Sequence, residues 1–102
     1  GVMRCRASAN AGPVGDGAAS RNITLALDGQ SPAFALVVPT TAVAKVYRVS
    51  TDTTGRASST GNAVANSITA MGSNQITVGL AMNTTGVTYD VWAIRPGLVA
   101  PW

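Results

Sequence analysis

From Ile23 to Arg95 the apolar residues recur at every second position in short runs, each stopped by glycine, proline, asparagine or a cluster of small polar residues. That period suits a pleated strand with one buried face; a helix needs apolar residues at three-and-four spacing. No window shows that spacing with charge opposite, and no Glu–Lys pairs support a helix. Five to seven short strands between turns predict an all-β chain, an antiparallel β-sandwich (Ig-like or jelly-roll-like) or a small barrel.

The first strand places Ile23, Leu25 and Leu27 on one face, and Gly29-Gln30-Ser31-Pro32 turns into a second with Phe34, Leu36 and Val38 alternating against Ala33, Ala35 and Val37. The bulky set, Phe34 included, is expected to face the core. Ala42 to Thr51 is a β-branched run without strict alternation, consistent with a bulge or burial on both faces. Asp52 to Asn62 reads as a polar loop. Ile68 and Ala70 then enter a hairpin through Gly72-Ser73-Asn74, with Ile76, Val78, Leu80 and Met82 on one face of the return strand. The last strand, Val87 to Arg95, sets Val87, Tyr89, Val91 and Ala93 against Thr88, Asp90, Trp92 and Ile94. Trp92 and Ile94 thus occupy the face where polar residues belong, so that face needs a cover.

Residues 1–21 show neither period and are expected to form an extended N-terminal arm; 22–95 form the β-sandwich domain and 96–102 an apolar C-terminal tail. The tail, Pro96-Gly97-Leu98-Val99-Ala100-Pro101-Trp102, carries no charged side chain and two prolines.

Composition narrows the chemistry. The 102 residues include no His and no Glu, one Lys and one Cys, and general acids, nucleophiles and metal sites are built mostly from those types. No catalytic residue, cofactor or metal ligand is therefore expected. The four aspartates, Asp16, Asp28, Asp52 and Asp90, form no calcium-loop motif, and Asp28 and Asp52 read as turn caps. Cys5 has no partner for an internal disulfide. Lys45 reads as an edge-strand charge that blocks aggregation. Asn22-Ile23-Thr24 and Asn83-Thr84-Thr85 match the N-glycosylation pattern, a match that arises readily by chance in an Asn- and Thr-rich chain.

Charged residues make up 11% of the chain, with net charge +3, against about 25% in ordinary soluble domains. A surface so poor in charge resists association weakly. The arginines are dispersed, without the dense basic run of a nucleic-acid binder, and no stretch reaches the roughly 20 apolar residues of a membrane span.

The small-residue arm, the Thr- and Val-rich β core, the scarce charge and the apolar tail together resemble, in general character, the small accessory virion proteins of tailed bacteriophages: head-decoration, fibre or tail-surface modules. The resemblance transfers no functional residue. It implies a non-enzymatic, repeated structural subunit at a virion surface or in another extracellular assembly, bound to copies of itself and to a capsid, tail or surface scaffold. Arg4 and Arg6 are the expected arm contacts, and Trp92, Ile94, Leu98 and Trp102 the apolar anchors. The alternative is a monomeric immunoglobulin-like or fibronectin-like module that recognises a glycan or protein through Asp52, Thr53, Thr54, Arg56 and Asn62. Removing residues 96–102 is expected to leave the domain folded and weaken its assembly, read by circular dichroism and light scattering; unfolding would instead make the tail part of the core.

Overall fold

The computed structural model describes residues 8–41 and 44–96. The domain is nearly all β, two antiparallel sheets packed as a sandwich. Strands β1 (Ser8–Ala11), β2 (Ser20–Thr24), β3 (Phe34–Pro39), β4 (Val46–Val49), β5 (Gly55–Ala57), β6 (Ala63–Val64), β7 (Ile68–Gly72), β8 (Gln75–Gly79) and β9 (Tyr89–Ile94) follow in chain order. The large sheet runs β1-β9-β3-β4-β5-β6 and the small one β2-β8-β7.

The core lies between the sheets. Ile23, Ile68, Ile76 and Val78 come from the small sheet; Ala35, Val37, Val46, Tyr89, Val91 and Ala93 come from the large one; Leu25, Leu27 and Met82 close the ends. Arg48 also belongs to the inner side, paired across from Ala35. Its Nη1 donates to the Ile68 carbonyl at 3.0 Å and so ties β4 to β7.

Several elements differ from the expected pattern. The bulky set of β3 does not face the core: Ala35, Val37 and Pro39 are buried, while Phe34, Leu36 and Val38 lie half-buried on the outer face. Within the large sheet Ala35 and Val37 lie beside Ala93 and Val91 of β9, so this part of the sheet turns small and medium side chains toward the core, where added bulk would overpack. The return strand β8 stops at Gly79, and Leu80–Met82 form a short 3-10 turn that turns Leu80 out to 50% exposure. A Cβ on Gly79 would sit 2.4 Å from the Asn66 carbonyl oxygen, so the chain leaves the sheet where backbone meets backbone.

Residues 8–21 depart from the expected arm. Ser8–Ala11 pairs with β9, Val14 bridges to Thr88, and Ser20 already belongs to β2. Strand pairing therefore includes residues well before 22, and the expected arm's residues 1–7 lie outside the described residues. Gly15 fixes the intervening segment: its N–H donates to Val87 O at 2.8 Å and its O accepts from Gly86 N at 3.0 Å. An added Cβ there would lie 1.9 Å from the Thr84 carbonyl oxygen. Gly15→Ala is expected to cost about 1–3 kcal/mol in chemical denaturation, the usual penalty of overpacking, whereas Gly12→Ala, whose Cβ would meet only Tyr89 O at 4.0 Å, changes little.

Candidate interaction surface

Because successive residues of a strand alternate between faces, the inward set of β9 fixes an outward one. Asp90, Trp92 and Ile94 point out while Tyr89, Val91 and Ala93 are buried. Register places Trp92 opposite Leu36, Leu36 opposite Tyr47, Tyr47 opposite Arg56 and Arg56 opposite Ala63, a single row across β9, β3, β4, β5 and β6. One row toward the end of β9, Ile94, Phe34 and Val49 stand side by side. The Phe34 and Tyr47 rings stack diagonally at 6.3 Å between centroids, inclined by 20°.

Trp92 remains 51% exposed and Ile94 41%, while Phe34, Leu36, Tyr47 and Val49 are half-buried. Together they form a contiguous apolar face on the outside of the large sheet. The outward exposure of Trp92 and Ile94 agrees with the alternation read from the sequence. Phe34, Leu36 and Val38 join them because β3 is turned the other way from the expectation. The signal that could have located them is the small size of Ala35, which lies beside Ala93 on the inner side of the same sheet. The other proposed anchors, Arg4, Arg6, Leu98 and Trp102, lie outside the described residues.

The expected recognition loop is largely a hairpin. Gly55–Ala57 and Ala63–Val64 are paired strands, and the Ala57 carbonyl accepts from Gly61 N at 2.7 Å in the turn. Asp52 and Arg56 form an ion pair at 3.3 Å, Arg56 Nη1 donates to Gly61 O at 3.0 Å, and Thr54 Oγ1 donates to Val64 O at 3.0 Å. Only Thr53 and Asn62 of the five named residues are exposed. Lys45 precedes the interior strand β4 and so does not guard a sheet edge, contrary to the sequence reading.

Polar side chains gather at one further place. Asn83 is 1% exposed; its Nδ2 donates to Asp16 Oδ1 at 2.5 Å and to Ala18 O at 3.1 Å, and its Oδ1 accepts from Asp16 N at 3.1 Å. Arg21 Nη1 reaches Asn83 Oδ1 at 3.3 Å and also the Val14 carbonyl. This is a clamp of the 14–18 segment onto the turn before β9, and its burial removes Asn83 from the glycan-acceptor reading. Asn22 of the other matching tripeptide is exposed, its Oδ1 accepting from Thr77 Oγ1 at 2.7 Å. Among the described residues, no three His, Cys, Asp or Glu side chains gather as a metal site would require, and no helix is long and apolar enough to cross a membrane.

The Ala18 N–H, then the Asn83 amide and the Arg21 guanidinium, hold the Asp16 carboxyl below its ordinary 3.8. A lowered folded-state value stabilises the fold above the unfolded pKa, and that contribution fades as pH falls through 3.8 and then through the folded value. Asp16→Asn is therefore expected to flatten the acid limb of stability against pH, so that the gap from the parent protein in urea denaturation narrows between pH 7 and pH 3; a gap constant with pH would contradict the assignment. In comparison with known proteins, the chain matches no family model, no curated protein and no solved structure, so the role of this surface follows from its own geometry and chemistry.

Proposed function

We propose that this chain is a non-enzymatic structural protein, a repeated subunit of a virion-surface or other extracellular assembly, and that the outer face of its large sheet is the contact surface. The observation that carries this reading is the contiguous apolar face of β9, β3 and β4, on which Trp92 is half exposed. Exposed apolar surface gains about 25 cal/mol for each Å² removed from water, and a large aromatic side chain such as Trp92, here beside Leu36 and Ile94, is a frequent anchor of a protein contact. The low charge of the chain adds little electrostatic opposition to such packing. Association also costs translational and rotational freedom, so a small face binds weakly once and firmly only when repeated.

The rival reading, a monomeric module recognising a glycan or protein through residues 52–62, has less support. The side chains of Asp52, Thr54 and Arg56 are engaged within their own hairpin, so a ligand would have to displace those bonds or rely on Thr53 and Asn62.

The test is the mass of the purified protein in solution, by light scattering or native mass spectrometry, across a hundredfold range of concentration. The parent protein is expected to associate as concentration rises, and Trp92→Ser to weaken association by about tenfold or more with an unchanged circular dichroism spectrum. A parent that stays monomeric, or a variant that associates equally well, would remove the face from the contact.

A further inference from the structure

Seen along β3, the outer face of the large sheet is complementary to itself. β3 carries Phe34, Leu36 and Val38 down the middle. On one flank β9 sets Ile94 beside Phe34, Trp92 beside Leu36 and Asp90 beside Val38. On the other flank β4 sets Val49 beside Phe34 and Tyr47 beside Leu36. The β4–β5 ladder continues one residue past Val46, because Ser58 N donates to Lys45 O at 2.9 Å, and alternation then places Lys45 on the outer face beside Val38. The two flanks therefore match row by row: aliphatic Ile94 with aliphatic Val49, aromatic Trp92 with aromatic Tyr47, and carboxylate Asp90 with ammonium Lys45.

We propose that a second copy of this chain packs on this face about a two-fold axis parallel to β3. The inference rests on the assembly reading above and specifies its partner and geometry. Such an axis exchanges the flanks and preserves the rows. Trp92 of each copy then covers Tyr47 of the other, Ile94 covers Val49, Asp90 meets Lys45, and the β3 side chains meet along the axis. This is the residue-for-residue reciprocity of an isologous contact, with the sheets about 10 Å apart as in a sandwich.

Charge selects this axis over the alternative. A two-fold axis running across the strands would reverse the rows and press Asp90 onto Ile94 and Lys45 onto Val49, leaving charges buried against hydrocarbon. Both charged side chains are exposed in the single chain, and the ion pairs among the described residues, Arg21–Asp16 and Arg56–Asp52, use neither. Three strands about 4.8 Å apart and five residues rising about 3.3 Å each cover on the order of 250 Å², well short of the roughly 800 Å² per partner in a stable pair. The single contact is accordingly weak and is to be measured at several hundred micromolar and above.

The experiment uses charge reversal, with sedimentation velocity as the readout. Asp90→Lys and Lys45→Asp, each alone, put like charges together twice in a homodimer, and each is expected to associate about tenfold more weakly than the parent. An equimolar mixture of the two forms pairs with opposite charges at both sites and is expected to recover parental association to within about threefold. The milder Asp90→Asn and Lys45→Gln, which add no repulsion, are expected to weaken association less, and they decide the matter if circular dichroism shows that a reversal disturbs the fold. Reversed variants that associate like the parent, or a mixture no stronger than its components, would overturn the two-fold geometry while leaving the assembly reading to the Trp92→Ser result. A parent that is monomeric throughout would overturn both.

Discussion

Strand β9 is held along both edges, by β1 through Ser8–Ala11 and by β3 through Phe34–Pro39, and its pleat divides the molecule into an inside and an outside. Tyr89, Val91 and Ala93 enter the core, and the Tyr89 hydroxyl accepts from Thr84 N at 2.9 Å, which fixes the chain just before the strand. A slip of one residue would exchange every side chain between the faces and bring Trp92 into a layer lined by Ala35. The inward set Ala35, Val37, Tyr89, Val91 and Ala93 is thus tied to one register of the central strands. That register in turn decides which large side chains stay outside.

Two asparagines hold the loops that enter this frame. Asn83 gathers Asp16, Ala18 and Arg21 around one buried amide. Asn74 adopts a left-handed φ of 56° at the β7–β8 turn, and its Oδ1 accepts from Leu27 N at 3.0 Å and Gly29 N at 2.8 Å while its carbonyl accepts from Leu25 N at 2.7 Å. Leu25 and Leu27 consequently stay buried after β2 has left the ladder. Such bonds satisfy backbone groups that irregular segments would otherwise leave unpaired. Among the described residues, where ion pairs are few, neutral amides take up the positioning that charged residues often perform.

The same scarcity of charge shapes the exterior. Polar hydroxyls and amides keep much of the surface wet, and among the described residues Trp92 and Ile94 are exposed on the outer face of the β9, β3 and β4 strands beside half-buried Phe34, Leu36, Tyr47 and Val49, while Val14 and Leu80 are exposed outside those strands. Asp90 at one corner and Lys45 at the other give that patch direction. In the proposed contact the apolar centre supplies attraction, while the charges discriminate among ways of placing two such faces together. A small face of this kind suits a role in which weak contacts recur many times.

Alternation alone was enough to read the all-β class, the inward set Tyr89, Val91 and Ala93, and the placement of Trp92 and Ile94 on the opposite face, because a two-residue period is a local property of the pleated backbone. The β7–β8 hairpin was legible from Gly72-Ser73-Asn74 for the same reason. Period by itself does not say which face is inside when both are apolar. Phe34-Leu36-Val38 and Ala35-Val37 alternate equally well, and only the packed domain, with Ala35 and Val37 buried beside Ala93 and Val91, shows the larger set turned outward. Nor could local pattern show that Ser8–Ala11 completes a sheet whose neighbouring strand ends at Ile94, or that residues 52–62 close on themselves, since pairing partners are chosen by long-range register. The sequence by itself determined the alternation within each strand and the kind of side chain each could offer; the tertiary structure decided which of them share a face, because that depends on long-range pairing register and on which side of the sheet is packed.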